Sequence, residues 1–251
     1  MYHNLYKNII RSSCVLCDNA AQNPLDLCDD CRANLPCNSH PCTICALPLE
    51  PPTLYSRNDL ANHGDLANQG GLVDENFKCG ACTKAPGPIT RSVIPYLYRP
   101  PADFMIRRLK YAGDTKYSRL VGELICQAVK MQATTSPDCL IPVPMHNSRY
   151  RERGFNQAHL IAGHISSHLK IPLHSTAVSR TIANDTQATL GARARQRNMR
   201  RAFSVTSSMK GRSIAIVDDV YTTGATCTAL ARLLISSGAQ RVEVWAFART
   251  P

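Results

Sequence analysis

Residues 214–226 combine two adjacent carboxylates with several hydroxyl side chains and a glycine. The first four, residues 214–217, form a short apolar run rich in β-branched side chains, which is typical of a strand covered on both faces of a parallel sheet. Asp218 and Asp219 follow at the C-terminal end of this strand, where ligands bind in open α/β sheets. Because burying two acids without partners costs several kcal/mol, we expect both to face a pocket.

The residues after the two acids have the composition of a phosphate-binding turn. Thr222, Thr223 and Thr226 supply hydroxyls, and Gly224 lacks a Cβ where the chain turns into a helix predicted to start near Thr226. Free amides at a helix start bind phosphate. The helix dipole alone contributes only about 0.3–1 kcal/mol at an exposed end, so several amides and hydroxyls must converge. The segment therefore predicts a sugar-phosphate site.

The run Asp-Asp-Val-Tyr-Thr-Thr-Gly-Ala-Thr at residues 218–226 resembles the phosphoribosyl pyrophosphate (PRPP) signature of type I phosphoribosyltransferases. Tyr221 stands where an aliphatic residue is usual, and in this the run is similar to the ComF branch, competence proteins that include GntX-like members. The resemblance implies that Asp218 and Asp219 bind the ribose 2′ and 3′ hydroxyls. It also implies a 5′-phosphate loop formed by Thr222, Thr223, Gly224, Ala225 and Thr226. A nucleotide-binding P-loop motif is absent from the chain.

A second segment, between a predicted strand and a predicted helix, carries Arg149, Arg151 and Arg153. Their guanidinium groups suit phosphate oxygens. The segment is similar to the ComF pattern Pro-Val-Pro followed by Arg-x-x-Arg-Gly-Phe-Asn-Gln. The resemblance implies that residues 143–146 face the pyrophosphate and that Arg153 and Asn156 close on it. For Arg149 and Arg151, and also for Arg153, a position without a ligand is the alternative.

A third basic segment lies between Asp185 and Asp218, where no acid occurs. It resembles the ComF run that corresponds to the flexible loop closing over PRPP. The chain has a formal net charge of +11, and most of its 29 lysines and arginines are arginines, which neutralise phosphates and stack on bases. We expect single-stranded DNA as a partner, with a basic solvated surface as the alternative. The arginines of this segment that we assign to nucleic acid are Arg193, Arg195, Arg197 and Arg200.

Eight of the 12 cysteines form four Cys-x-x-Cys pairs, namely Cys14/Cys17, Cys28/Cys31, Cys42/Cys45 and Cys79/Cys82. Paired cysteines in a reducing compartment are usually metal ligands. Eight thiolates suit two tetrahedral zinc ions, and all-cysteine sites without an open position are structural. We favour combining the first two pairs in one site and the last two in the other. Interleaved or crossed combinations are compatible with the same spacings.

The length of 251 residues and the 44% hydrophobic content fit one α/β domain plus a smaller module. Residues 1–87 are predicted to form a zinc-ribbon module with a mobile insertion over 46–78. Residues 88–251 are predicted to form a phosphoribosyltransferase-like domain, with a parallel sheet flanked by helices. No apolar run approaches the ~18 residues of a membrane span, and the N-terminus lacks the apolar core of a signal peptide. We therefore expect a cytoplasmic protein.

Strands and helices alternate along the predicted domain. Strands are expected at residues 92–98, 139–143, 176–179, 214–217 and 242–248. Helices are expected at residues 101–112, 120–131, 156–169 and 226–237.

Two functions follow from the resemblance. The first is a ComF-like PRPP-binding protein that handles single-stranded DNA during natural transformation. The second is an active phosphoribosyltransferase that moves ribose 5-phosphate from PRPP to a base or another nucleophile, with Mg²⁺ offsetting the pyrophosphate charge. Family analogy also implies a DNA-uptake translocase or helicase as a partner. The residues do not indicate an acceptor for the transfer.

Overall fold

The structure is a computed structural model that describes residues 12–21, 25–50, 77–132, 135–181 and 202–251. The strands are β1 (Ser12–Ser13), β2 (Ala20–Ala21), β3 (Arg91–Val93), β4 (Tyr96–Leu97), β5 (Cys139–Pro142), β6 (Val178–Arg180), β7 (Phe203–Val205), β8 (Ser213–Tyr221) and β9 (Arg241–Arg249). The helices are α1 (Asp29–Ala33), α2 (Gly80–Lys84), α3 (Ala102–Tyr111), α4 (Lys116–Met131), α5 (Asn147–Arg153), α6 (Gln157–Leu169) and α7 (Ala225–Ser236).

A five-stranded parallel sheet forms the centre of the protein. Its strands lie in the order β3-β9-β8-β5, and β4 also pairs with β9. Alternate side chains of β8 enter two separate cores, because successive residues of a strand point to opposite faces. Ala215 and Val217 pack with α3, α4 and α6, whereas Ile214 and Ile216 pack with α7. The predicted α/β architecture, a parallel sheet flanked by helices, is confirmed.

Three local predictions differ from the structure. The strand expected at 92–98 divides into β3 and β4, because the intervening Pro95 has no N–H for the ladder. The strand expected at 176–179 is β6, which pairs antiparallel with β7 in a separate ribbon and not with the main sheet. A helix, α5, occupies the arginine-rich segment that was expected to join a strand to a helix, and it ends at Gly154 with a φ of 82°. The first and the last of these differences have a local signal in the sequence, Pro95 within the strand and a glycine at the helix C-cap.

The cysteine-rich N-terminal part packs directly on the α/β domain. Leu25, Leu27 and Leu35 belong to the same buried cluster as the apolar faces of α3 and α4. The Tyr117 hydroxyl of α4 donates a hydrogen bond of 2.9 Å to the carbonyl oxygen of Val15. The two parts therefore share one hydrophobic core.

Two predictions fall wholly or mainly outside the described residues. The expected mobile insertion over 46–78 includes residues 51–76, and Arg193, Arg195, Arg197 and Arg200 lie within residues 182–201. Among the helices that the structure describes, none combines the length and the apolar character needed to cross a bilayer.

Gly122 marks a close crossing between α4 and α6. A Cβ at this position would lie 2.9 Å from Cβ of His164, whereas a Cβ at Gly163 would meet nothing within 4 Å. We expect Gly122→Ala to lower the free energy of unfolding by about 1–2 kcal/mol, because overpacking costs more than the gain in helix propensity. Gly163→Ala should raise it by up to about 1 kcal/mol. Urea unfolding at saturating zinc measures both, and equal stabilities would contradict this crossing.

Candidate functional site

A cleft of about 290 Å³ opens at the carboxyl ends of β5 and β8. Side chains from the end of α3, the β5–α5 loop, α5, the start of α6, the end of β6 and the turn before α7 line it. This is the position at which ligands bind in open parallel sheets. The cleft brings together predicted site residues that are far apart in the sequence: Arg149, Arg153, Asp218, Asp219, Thr222 and Thr226.

Asp218 and Asp219 both line the cleft, but β8 does not end before them as expected. The strand continues through both acids to Tyr221, because β9 pairs with it along this length. Asp219 is only 3% exposed and forms an ion pair with the ammonium group of Lys110. Asp218 accepts a hydrogen bond of 2.9 Å from the backbone N–H of Asp219. The pairing with β9 thus fixes both acids on a rigid element.

The two carboxyl groups are close enough to influence each other's ionisation. Burial, followed by the negative charge of Asp219, raises the pKa of Asp218 well above its ordinary value. The positive charge of Lys110 opposes this rise but does not cancel it. A ligand that brings hydroxyl donors or a cation to this pair would stabilise its ionised form.

The turn after β8 has the shape that its composition predicts. Gly224 has a φ of 74°, and a Cβ there would lie 2.2 Å from the hydroxyl oxygen of Tyr221, so a glycine is required. Thr222 and Thr226 line the cleft, and α7 starts at Ala225 beside it. The start of a helix is a favourable place for an anion, and here it lies beside the cleft.

Thr223 and Ala225, the remaining two residues of the predicted loop, complete the turn without lining the cleft. The Thr223 hydroxyl accepts a hydrogen bond of 3.4 Å from the backbone N–H of Ala225. Both residues therefore contribute to the shape of the turn.

The predicted arginines of α5 divide into two groups. Arg149 and Arg153 line the cleft, whereas Arg151 is exposed and is not among the lining residues. Arg153 donates a hydrogen bond of 2.8 Å to the side chain of Gln157, and its guanidinium carbon lies 5.6 Å from the ring centroid of Tyr111. These contacts hold Arg153 at the edge of the cleft, with an aromatic ring beside it.

Asn156 has a structural role in addition to its position in the cleft. Its side-chain oxygen accepts a hydrogen bond of 2.9 Å from the N–H of Ala158, which caps the start of α6. Its amide nitrogen donates a hydrogen bond of 3.0 Å to the carbonyl oxygen of Val143. Asn156 therefore fixes the loop that leaves β5 against the helix that follows it.

Arg180 is a cleft residue that sequence reasoning missed. It ends β6 and lines the cleft. Burial and the nearby charge of Arg149 lower the pKa of Arg180, and the charge of Asp218 acts in the opposite direction. No motif surrounds this arginine, so nothing in the local sequence indicates that the β6–β7 ribbon carries it to the cleft. Cations thus lie on several sides of the two acids.

The eight paired cysteines form two separate tetrads. The sulfur atoms within each tetrad lie within 4.8 Å of one another, and the tetrads are Cys14/Cys17/Cys28/Cys31 and Cys42/Cys45/Cys79/Cys82. This is the favoured combination of the four pairs. The sulfurs of Cys17 and Cys28 are 3.6 Å apart, and those of Cys45 and Cys79 are 3.7 Å apart. Tetrahedral zinc with bonds of about 2.3 Å requires sulfur separations of about 3.8 Å, so both tetrads fit zinc.

The thiols within each tetrad differ in how readily they ionise. Burial opposes ionisation of Cys14 and Cys42, but hydrogen bonds from backbone N–H groups outweigh it and lower the pKa to about 6 for Cys14 and about 7 for Cys42. Burial raises the pKa of Cys45 to about 11, although the backbone N–H of Leu47 opposes this rise. Four thiolates in one site thus require a bound cation, which supports structural zinc.

Comparisons with known proteins agree with both parts of this description. Residues 8–61 match the double zinc ribbon domain family, and residues 156–251 match the phosphoribosyl transferase domain family. The chain is 38% identical over 179 residues to the DNA utilization protein YhgH of Escherichia coli O157:H7, covering 70% of this chain and 79% of that protein. It is 34% identical to Competence protein F of Haemophilus influenzae, covering 68% and 78%. It is 30% identical to Competence protein ComFC of Bacillus subtilis, covering 57% of each chain.

Proposed function

Because the chain belongs to the ComF family, with a double zinc ribbon and a phosphoribosyltransferase domain, we propose that it binds PRPP and handles single-stranded DNA during natural transformation. One observation carries the PRPP proposal. One cleft, which arginines surround, brings together two acids, a hydroxyl-rich turn and the start of α7. The turn contains a glycine at positive φ. This combination suits a ligand with vicinal hydroxyls, a terminal phosphate and further negative charge.

The residue roles in this proposal follow the chemistry of PRPP. Asp218 and Asp219 accept hydrogen bonds from the ribose hydroxyls, and the loop 222–226 binds the 5′-phosphate through backbone amides and hydroxyls. Arg153 and Arg180 bind the pyrophosphate. Mg²⁺ accompanies PRPP as its counterion and reduces the repulsion between the pyrophosphate and the two acids.

The test is a titration of the wild-type protein with PRPP and Mg²⁺, following thermal unfolding. A ligand at about 100 times its Kd stabilises a protein by about 2.7 kcal/mol, so we expect a clear rise in Tm. Ribose 5-phosphate, which lacks the pyrophosphate, should give a smaller rise at the same concentration because it cannot make the pyrophosphate contacts with Arg153 and Arg180. An unchanged Tm across the PRPP series would refute the proposed pocket.

The proposal for single-stranded DNA depends on charge. The net charge of +11 exceeds what one small ligand requires, and single strands bind to basic surfaces with strong salt dependence. The names of the relatives, a DNA utilization protein and competence proteins, support the same partner. Arg149 and Arg151 on α5 are exposed near the cleft. In the proposal they bind phosphates of the single-stranded DNA, together with the basic segment between residues 185 and 218.

Neutralising Arg195, Arg197 and Arg200 is expected to weaken binding to single-stranded DNA and to reduce its salt dependence. Each lost phosphate contact lowers the slope of log K against log salt by about 0.7, so the triple glutamine variant should lose about 2 units of slope. The charge-matched control replaces Lys84, Lys210 and Arg232, which are exposed and do not line the cleft. Identical slopes for the two variants would remove this segment from the DNA surface.

An active phosphoribosyltransferase is the second candidate function. Pyrophosphate leaves PRPP through a ribosyl cation-like state, which needs positioning and positive charge at the departing oxygens more than a protein nucleophile. The cluster of Arg149, Arg153 and Arg180 at the cleft favours this candidate. An assay of pyrophosphate release in the presence of candidate bases tests for this transferase activity. Absence of release while PRPP binds would favour the binding function.

We propose that the protein is cytoplasmic, because thiols stay reduced in the cytoplasm and remain available to bind zinc. By family analogy it assigns a DNA-uptake translocase or helicase as the protein partner. Co-purification of a helicase that is lost at high salt would support this partner.

A further inference from the structure

The turn that carries the first pair of ligands of the second cysteine tetrad, residues 42–46, is bound tightly by the α/β domain. Ser92 of β3 donates its backbone N–H and its hydroxyl to the carbonyl oxygens of two successive residues in this turn, at 2.8 and 2.6 Å. Arg249 at the end of β9 donates from Nε to the carbonyl oxygen of Cys45 at 3.1 Å. This cysteine site therefore has a defined position relative to the ends of β3 and β9.

The same guanidinium group of Arg249 also holds the residues that lead into the phosphate loop. Its Nη1 atom donates hydrogen bonds to the carbonyl oxygens of Tyr221 and Thr222. Its central carbon, Cζ, lies 5.4 Å from the ring centroid of Tyr221. Arg249 is only 9% exposed. One buried side chain thus binds a metal ligand of the second tetrad on one side and the start of the phosphate loop on the other.

Tyr221 transmits this position to the glycine of the loop. Its ring is buried, and its hydroxyl lies where a Cβ of Gly224 would be, at 2.2 Å from that position. Movement of the Tyr221 ring would therefore change the space beneath Gly224. This gives a structural reason for a tyrosine where the phosphoribosyltransferase signature usually has an aliphatic residue.

We propose that Arg249 is a positioning residue that couples metal binding at the second cysteine tetrad to the conformation of the phosphate loop. The ligand part of this inference rests on the proposed function. Zinc fixes the carbonyl of Cys45, Arg249 carries that constraint to Tyr221 and Thr222, and the loop is held ready for a phosphate. Because coupling between two sites is reciprocal, a phosphorylated ligand in the cleft must strengthen zinc binding at the second tetrad.

The first tetrad provides an internal control. Hydrogen bonds join its segment to α4, from the Tyr117 hydroxyl to the carbonyl oxygen of Val15 and from Arg32 to Gln127, the second at 2.9 Å. None of these residues belongs to the phosphate loop. Loss of a ligand at the first tetrad is therefore expected to leave the loop unchanged, whereas loss of a ligand at the second is not.

Amide hydrogen exchange tests the coupling without any ligand. We expect Cys82→Ser to speed exchange in residues 221–228 by about fivefold or more relative to the wild type, and Cys31→Ser to leave it unchanged. Arg249→Lys should produce the same faster exchange with two zinc ions still bound, and Arg212→Lys, a substitution at a partly buried arginine outside the loop, should not. Equal exchange in Cys82→Ser and Cys31→Ser would overturn the proposal.

Zinc release provides a second measurement if Cys82→Ser does not fold. A chromogenic chelator should remove one of two zinc ions from the wild type about fivefold more slowly when PRPP and Mg²⁺ are present, and Arg249→Lys should lose this protection. Release rates that PRPP does not alter, in a protein whose Tm PRPP does raise, would refute the coupling. If PRPP leaves the Tm unchanged, the proposed function fails, and the exchange data still decide the coupling.

Discussion

The double substitution Asp218→Asn/Asp219→Asn is expected to abolish measurable binding of PRPP. In the proposed complex each carboxylate accepts a charge-assisted hydrogen bond from a ribose hydroxyl, and such bonds contribute about 1.5–3 kcal/mol each. Losing both should reduce the affinity by about 10²- to 10⁴-fold, since about 1.4 kcal/mol corresponds to a factor of ten. Calorimetric titration of PRPP in the presence of Mg²⁺ measures this change directly.

The control substitution is Asp114→Asn. Asp114 makes ion pairs with Arg108 and Lys116 at 3.2 and 3.4 Å and is not among the residues that line the cleft. It therefore undergoes the same chemical change outside the proposed site. Its affinity for PRPP should equal that of the wild type. A loss of binding in this variant similar to that in the double variant would mean that charge at a distance, and not contact, explains the effect.

The unliganded Asp218→Asn variant should be at least as stable as the wild type at neutral pH. The pKa of Asp218 is raised in the folded protein, so the folded state holds this proton more tightly than the unfolded state does. The stability that this proton provides is therefore lost as the pH rises through that pKa, because ionisation places a second negative charge beside Asp219 in a buried site. Asparagine removes that charge. Urea unfolding checks this, and a clearly less stable variant would assign Asp218 a structural role.

The local sequence predicts the central part of the cleft because the relevant forces act over a few residues. An apolar β-branched run identifies β8, and the two acids and the glycine follow it directly. The positive φ of Gly224 and the start of α7 beside it are consequences of that same short segment. The cysteine spacings likewise indicate two sites, because each Cys-x-x-Cys pair places two sulfurs on one turn.

Other features depend on contacts between distant segments, and the sequence pattern does not contain them. Arg180 reaches the cleft because β6 pairs with β7 across 22 intervening residues, and a three-residue strand does not specify its partner. Lys110 meets Asp219 only because α3 ends over the sheet. Arg249 closes the chain of contacts between a cysteine turn and the phosphate loop from a position 204 residues beyond Cys45. Such contacts become visible only when the elements are assembled.

Removing zinc is expected to unfold the N-terminal module and to loosen the adjoining part of the α/β core. The described elements of this module are strands of two residues and helices of five, which are too short to be stable alone. Structural zinc in zinc-finger peptides contributes about 10–16 kcal/mol of apparent binding free energy, which is comparable with the total stability of a domain, about 5–15 kcal/mol. Because Leu25, Leu27 and Leu35 share a core with α3 and α4, the loss should extend to this core, whereas Tyr221 and α7 belong to the other core cluster.

The single tryptophan makes this loss measurable. Trp245 on β9 is fully buried and belongs to the same core cluster as the three leucines. A strong chelator should shift its emission to longer wavelength and lower the Tm, and Zn²⁺ should restore both, whereas Mg²⁺ should not because it prefers oxygen ligands. Emission that stays constant after both zinc ions have left would mean that the module folds without metal. In that case the eight cysteines would bind zinc without supporting the core, and the continuous packing between module and sheet would itself have to hold these short elements in place.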